Sequence, residues 1–380
     1  TAIAKIPEIK MNESKKNRLI AEARTLRALY YFNLVRFFGD VPLILDLKTV
    51  EDSKGPRDSK ELIYDQIIED LTFAEEHLPL RSEYSASDEG RINKGAAKIL
   101  FGKVYLTKGD FQKAKDKLAE VVEHESEYGF GLHKDYHANW LRDTEAGIEA
   151  VLYIEYKEPP FQHNGEMALA GPKYSIPGSL GISALNEADI PTQELYDQFD
   201  NRDLRKKTNF KTEFAHLKTG EILKSSIPLS GKFWVEGLET GDRCDVNMHI
   251  IRYADAILMY AEALNEVGES TKALAMLNRI RERAFGDDSG NFKPMSKDEF
   301  RTAILNERRL EFPHEGHRWF DLVRTGTFIQ RMKEHSAYEA KVAEANKTEI
   351  AQNIKEHMIL MPIPQSEIDL NPNLVQNAGY

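Results

Sequence analysis

The sequence predicts a mostly α-helical fold in which tetratricopeptide-like helix pairs form a superhelical scaffold, packed against an irregular, loop-rich region with a few short strands. Three observations predict it. Apolar residues recur at three- and four-residue steps toward both ends of the 380-residue chain, which is the pattern of amphipathic helices. Two distant segments share one repeat register. Between them, the sequence is richer in Gly, Pro and scattered aromatic residues and includes the strand-like VLYIEY.

Two helices are predicted near the start of the chain. The first covers 14–38 and ends at Gly39 and Pro42. Its apolar face is predicted to consist of Leu19, Ala23, Leu26, Tyr30, Leu34 and Phe37. The second begins after the cap candidates Asp58 and Ser59 and ends before Pro79. Both patterns favour helices that bury one side against a neighbour.

A repeated spacing is the most informative feature of the organisation. It is carried first by Gly102, Tyr105, Gly109, Ala114, Leu118 and Val121, and 159 positions later by Ala261, Leu264, Gly268, Ala273, Leu277 and Ile280. Small residues where two helices cross, large ones where they interlock and a glycine at the turn are typical of tetratricopeptide repeats of about 34 residues. Such repeats bury a face only against neighbours, which predicts a scaffold whose usual role is to bind other proteins.

We predict a single domain, 1–380, with four parts. The scaffold consists of 14–125 and 250–345, the predicted ligand-binding region is 126–249, and the tail that packs on the scaffold is 346–380.

Composition excludes several classes of protein. The net charge of −11, without a basic stretch that could follow a phosphate backbone, argues against nucleic acid as a partner. No apolar segment approaches the ~20 residues that cross a bilayer. Cys244 is the single cysteine, so internal disulfides and multi-cysteine metal sites are excluded. We expect no cofactor.

The stretch NERRLEFPHEGHRWFDLVRTG, 306–326, is dense in ionisable side chains. Its HEGH is not the helical His-Glu-x-x-His zinc motif, because the histidines are three residues apart. We therefore expect neither a metal site nor catalytic residues here. The pattern predicts a helix that begins with the capping box Ser296/Glu299 and ends before Pro313. Charges that alternate in sign then favour ion pairs that fasten helices.

The same stretch resembles the C-terminal motif of the SusD/RagB family of nutrient-binding proteins. The matching residues are Glu307, Arg308, Glu311, Glu315, Gly316, Arg318, Trp319, Asp321, Leu322 and Arg324. An early segment is similar to the family's first helix and turn through Glu22, Ala23, Leu26, Arg27, Ala28, Tyr31, Phe32, Leu34, Gly39, Asp40 and Pro42. The chain end matches through Pro362, Ile363, Pro364, Glu367, Asn371, Pro372, Gln376, Asn377, Gly379 and Tyr380.

The resemblance implies a non-enzymatic protein that captures an oligosaccharide or a peptide. Its expected partner is a SusC-like TonB-dependent transporter, on which family members act as a lid. The implied location is the extracellular face of the outer membrane. The only membrane contact implied is an N-terminal lipid anchor on an upstream cysteine that this chain does not include.

No family motif marks the ligand residues, so they are inferred from chemistry. Proteins bind sugars with exposed aromatic rings flanked by polar side chains. The candidates in the irregular region are Trp140, Trp234, Tyr174, Phe161, Asn164, Tyr136, Asn139 and Arg243. Trp140 and Trp234 are the stronger candidates, because neither lies in a clear amphipathic repeat.

Other functions remain open from the residues alone. A peptide-binding family member would have an acidic pocket without stacked aromatic rings. A glycoside hydrolase needs two carboxylates across the scissile bond, whereas the acids here follow helical faces. A tetratricopeptide adaptor would explain only the repeats. The turn GDDSGN, 286–291, could hold calcium, but it lacks EF-hand spacing.

Overall fold

The computed structural model describes residues 2–46, 49–157, 164–342 and 349–380. It confirms the predicted fold class, which is mostly helical with a few short strands. The helices are α1 (Ala2–Lys5), α2 (Glu13–Phe38), α3 (Lys60–His77), α4 (Lys94–Lys108), α5 (Phe111–Val122), α6 (Glu125–Tyr128), α7 (Glu166–Ala170), α8 (Gln193–Gln198), α9 (Lys206–Asn209), α10 (Tyr253–Glu266), α11 (Ser270–Phe285), α12 (Lys297–Glu311), α13 (Arg318–Arg324), α14 (Phe328–Val342), α15 (Glu349–Asn353) and α16 (Gln365–Leu370). The strands are β1 (Ala150–Ile154), β2 (Phe210–Ala215), β3 (Ile222–Ser230) and β4 (Met248–Arg252).

The chain divides into two compact units. The first unit contains Thr1–Tyr128 and Phe320–Tyr380, and the second contains Gly129–Trp319. The first therefore holds the early helices and the chain end, and the second holds the strands, the loops and α10 to α12. The predicted boundaries at 125, 250 and 345 stay predictions.

Helices α4 and α5 of the first unit pack as the repeat register predicts. A Cβ atom added to Gly102 would lie 2.5 Å from Leu118 Cγ, so only glycine allows this close crossing. Gly109 ends α4 in the left-handed conformation, with a φ of 78°, which glycine adopts without steric strain. Asp110 then caps α5 by accepting a hydrogen bond from the Lys113 amide.

Helices α10 and α11 form the corresponding pair in the second unit. Ala261 and Leu277, the counterparts of Gly102 and Leu118, are both fully buried. Gly268 lies in the turn with a φ of 91°. Almost every residue of α10 is buried, including Asp255 and Glu262. A helix that is buried on all sides belongs in the centre of its unit.

The buried face of α2 differs from the prediction. Leu26, Tyr30 and Leu34 are exposed. The face that is buried instead consists of Ala21, Thr25, Ala28, Leu29, Tyr31, Phe32 and Val35. The helix is apolar on two sides, and the prediction followed the side with the more regular spacing of large residues. Ala21 packs in one buried cluster with Ala74 of α3.

The chain end of the first unit is tied to the segments that follow α2. The Arg57 guanidinium donates to Asn377 Oδ1 at 2.6 Å and to the Phe38 carbonyl at 3.0 Å. Asn377 Nδ2 donates to the Met361 carbonyl at 2.8 Å. Asn371 Nδ2 donates to the Gly55 carbonyl at 2.9 Å. These bonds hold the last twenty residues against the loop between α2 and α3.

The second unit contains two antiparallel pairs, β1 with β4 and β2 with β3. The predicted strand VLYIEY corresponds to β1, whose first three residues are buried. The other pair was not predicted, because β3 alternates polar and apolar residues only weakly and contains Pro228. Both pairs position the loops that contain the candidate ligand residues.

Candidate functional site

Residues 306–319 of the motif that is dense in charge belong to the second unit. Helix α12 begins with the predicted capping box, in which Ser296 and Glu299 bind each other's backbone amides. It ends at Glu311, before Pro313. The side chains of Glu311 and Glu315 are almost completely buried. A buried carboxylate needs compensating charge, so the residues around these two decide what they can do.

Four buried cations surround the two carboxylates. Glu315 accepts from Lys232 Nζ at 2.5 Å, from Arg252 Nε at 2.7 Å and from Arg252 Nη2 at 2.9 Å. Glu311 accepts from Arg205 at 2.9 Å, from Arg252 at 3.0 Å and from Arg283 at 2.6 Å. We call Lys232, Arg205, Arg252, Arg283, Glu149, Glu307, Glu311, Glu315 and Asp203 the buried charge cluster.

Charge, rather than burial, sets the ionisation of these acids. Burial alone would raise the pKa of Glu315, but the charges of Arg252 and Lys232 hold it well below its ordinary value. The pKa of Glu311 is likewise lowered against burial, by Arg283 and Arg252. Both groups are therefore ionised counter-ions and not proton donors at neutral pH. The predicted role of this stretch in fastening helices fits this geometry.

Four of the predicted ligand residues are buried, which is a correction to their proposed role. Trp140 is 3% exposed and Asn139 is 0% exposed. The Trp140 ring lies 4.6 Å from Lys232 Nζ and so contacts the buried charge cluster instead of solvent. The Tyr136 hydroxyl donates a hydrogen bond to the Glu311 carbonyl at 2.6 Å. Asn164 donates to the Val246 carbonyl at 2.9 Å. These contacts give the four side chains a structural role.

Trp234 is half-buried between two hydrophobic clusters. It packs edge-on against Phe214, with 4.8 Å between the ring centroids. Its Nε1 is buried and has no hydrogen-bond acceptor among the described residues. The ring therefore packs against both clusters. Phe161, another predicted ligand residue, lies outside the described residues.

Tyr174 and Arg243 are the predicted ligand residues that face solvent. Tyr174 is 74% exposed, an uncommon state for an aromatic side chain in a packed protein. Arg243 follows Gly241, whose amide donates to the Ser183 carbonyl at 3.0 Å. On the other side, Glu187 N donates to the Gly171 carbonyl at 3.1 Å. The segments that contain Tyr174 and Arg243 thus border one layer of loops formed by 164–171 and 183–189.

One carboxylate that the sequence did not single out organises this layer. Glu187 Oε1 accepts from three successive backbone amides, those of Lys173 at 2.7 Å, Tyr174 at 3.0 Å and Ser175 at 2.9 Å. Partial burial acts to raise the pKa of Glu187, but the bonds from Ser175 and these amides lower it. The sequence gives no signal for this contact, because Glu187 is twelve to fourteen residues from the amides and lies in no motif.

The remaining candidates are structural. In GDDSGN, the Asp287 side chain accepts from the Ser289 amide at 2.9 Å, as in an ordinary turn. Among the described residues, no group of three or more His, Cys, Asp or Glu side chains is arranged to hold a metal ion. Cys244 is fully buried, and burial raises the pKa of its thiol to about 11. None of the helices within the described ranges is both long and apolar enough to cross a membrane.

Two family models match the chain at its two ends. The model described as "SusD family" matches residues 229–380. The model described as "Starch-binding associating with outer membrane" matches residues 1–106. A SusD-like protein from Formosa agariphila is 30% identical to the chain, with coverage of 100% of this chain and 77% of the relative.

Solved structures agree with this relationship. A SusD superfamily protein from Parabacteroides distasonis is 28% identical and has a TM-score of 0.82, with coverage of 100% of this chain and 82% of that one. A structure described as a laminarin-binding SusD-like protein is also 28% identical, with a TM-score of 0.78 and the same coverage. The chain therefore belongs to the SusD family, whose members are carbohydrate-binding, non-catalytic proteins.

Proposed function

We propose that the chain binds an oligosaccharide through a platform centred on Tyr174, without covalent chemistry. The observation that supports it best is the exposed ring of Tyr174 on a loop whose backbone is fixed by hydrogen bonds. A flat ring of this kind packs against the C–H face of a sugar. Family relatives described as binding starch and laminarin favour glucose polymers as the first ligands to test.

Polar groups beside the ring are suited to sugar hydroxyls. Lys173 Nζ lies 5.1 Å from the centroid of the Tyr174 ring. Arg243 is exposed on a segment that is joined to the same loops through the bond from the Gly241 amide to the Ser183 carbonyl. Donors beside an aromatic platform fix the orientation of a sugar, while the ring supplies most of the buried area. Trp140, Tyr136, Asn139 and Asn164 are left out of this proposal because they are buried.

We also propose that the ligand passes to a SusC-like TonB-dependent transporter at the outer face of the outer membrane, where a lipid anchor holds the protein. The family description that mentions association with the outer membrane supports this location. Co-purification of the chain with such a transporter, solubilised in detergent from outer membranes, tests the partnership. Absence of a complex under conditions that preserve the transporter would contradict it.

The binding test is calorimetry with starch- and laminarin-derived oligosaccharides and with mixed peptides. We expect Tyr174→Ala to weaken sugar binding on the order of 10- to 100-fold, as for a central aromatic contact. Tyr30→Ala is the matched control, because Tyr30 is a 64% exposed ring in the other unit. Equal affinity of Tyr174→Ala and the native chain would refute the platform, and binding of peptides alone would favour a peptide ligand over a sugar.

A further inference from the structure

The loop that presents Tyr174 is closed by a single carboxylate oxygen. Besides the three amides of 173–175, Glu187 Oε1 accepts from Ser175 Oγ at 2.5 Å. Four donors thus converge on one atom of a residue twelve to fourteen positions away in the chain. Successive backbone N–H groups that point inward form an anion-binding concavity, and here the anion is a side chain of the protein itself. We call this arrangement the Glu187 clamp.

The backbone of Glu187 has an uncommon conformation. Its φ is 57°, in the left-handed region that residues other than Gly, Asn and Asp seldom occupy. Such a conformation has an energetic cost and persists where surrounding contacts determine it. The charge-assisted bonds of the clamp are the strong kind, and they lower the pKa of Glu187 despite its partial burial. The carboxylate is therefore ionised, as the four donors require.

Other contacts fix the same segment from its far side. The Ser226 amide of β3 donates to the Ser175 carbonyl at 2.8 Å. The next residue, Ile176, is buried in a cluster with Leu180, Leu185, Phe214 and Leu229. The backbone of Tyr174 is thus held between Glu187 and β3, while its ring remains in solvent. A side chain in this situation depends on its backbone for its position.

We propose that Glu187 is a positioning residue for the ligand site, and that its clamp on the amides of 173–175 holds Tyr174 in the orientation that receives a sugar. The inference rests on the proposed function. Its physical basis is pre-organisation: a platform that is ordered before binding loses less conformational entropy when the ligand arrives. Without the clamp, the competent orientation is only one of several, and the apparent affinity falls in proportion to its population.

The test measures affinity and local exchange in the same variants. Glu187→Ala removes every acceptor of the clamp, and we expect binding of the sugar identified above to weaken on the order of tenfold. Amide hydrogen exchange of 173–175 should accelerate in the same variant. Glu187→Gln keeps an acceptor oxygen without the charge. We therefore expect its sugar affinity and its amide exchange at 173–175 to lie between those of the native chain and Glu187→Ala. Glu213→Ala is the matched control, because Glu213 is an exposed carboxylate in the same unit that pairs with Lys224.

A double variant separates positioning from an independent effect. If Glu187 acts through Tyr174, then Glu187→Ala adds no further loss of affinity in a Tyr174→Ala background. An equal loss in both backgrounds would overturn the inference. The inference would also be overturned if Glu187→Ala bound the sugar with unchanged affinity while Tyr174→Ala bound it more weakly. That result would leave the proposed function standing. Unchanged affinity of Tyr174→Ala would refute the platform itself, and the positioning role would fall with it.

Discussion

Replacement of Glu315 by glutamine should strongly destabilise the second unit. The carboxylate accepts from Lys232 and twice from Arg252, with donors at 2.5 to 2.9 Å on its two oxygens. Glutamine has nearly the same shape, but it carries no charge and turns one acceptor into a donor that faces other donors. In the variant, the buried Lys232 therefore loses the carboxylate to which it donates.

The size of the effect follows from the burial of both partners. The Lys232 side chain is 0% exposed and that of Glu315 is 2% exposed. Removal of one member of a buried ion pair costs about 3–5 kcal/mol, because the remaining charge stays desolvated. That is a large share of the ~5–15 kcal/mol by which folded domains are stable. We expect Glu315→Gln to lower the free energy of unfolding by about this amount.

Urea unfolding monitored by circular dichroism measures this difference. The control is Glu213→Gln, which breaks the exposed pair between Glu213 and Lys224 at 2.9 Å and should change stability by less than about 1 kcal/mol. Lys232→Met in the Glu315→Gln background should restore part of the loss, because it removes the buried unpaired cation. A loss below about 1 kcal/mol for Glu315→Gln would refute the reasoning.

Three further predictions concern other parts of the fold. Burial lowers the pKa of Lys232 from 10.5 to about 8, so the unfolded chain binds more protons than the folded one between these values. The free energy of unfolding should therefore rise from pH about 8 to 10.5. Urea unfolding at several pH values measures this rise, and the same dependence of unfolding free energy on pH in Lys232→Met would contradict the prediction. Gly102→Ala places a methyl group against a side chain at 2.5 Å and should cost about 1–3 kcal/mol in thermal unfolding. Gly55→Ala, with nothing within 4 Å of the added atom, is its control, and equal effects would count against the close crossing. Arg57→Ala removes the bond to Asn377 at 2.6 Å and should speed amide exchange in the last residues of the chain; unchanged exchange there would show that the other bonds suffice.

The helix pairs were predictable because their determinants are local. Gly109 and Gly268 repeat at a fixed offset along the sequence, as do the small residues Gly102 and Ala261. Each of the three glycines has the close approach or positive φ that explains it. The capping box of α12 is likewise encoded within four residues. The prediction of the buried face of α2 was wrong because that helix is apolar on two sides. Only its neighbour α3 decides which side is covered.

The candidate site was less predictable because exposure depends on distant partners. Trp140 is buried because Lys232 and Arg252 lie against its ring, at 4.6 and 5.3 Å, and nothing near Trp140 in the sequence indicates these contacts. Tyr174 faces solvent, and its backbone amide is bound by Glu187, which is thirteen residues away in the sequence. A list of aromatic residues in a loop-rich region contains both kinds, and the sequence alone does not separate them.

The buried charge cluster has a consequence for how the second unit folds. Its members come from segments as distant as Glu149 and Glu315, with Arg205, Arg252 and Arg283 between them. No two neighbouring segments can neutralise the cluster alone, so its dehydration has to wait until the chain from 149 to 315 has collapsed into one topology. Contacts of such large sequence separation slow folding. We therefore expect the charge cluster to form late on the folding pathway and to give the unit a single cooperative transition.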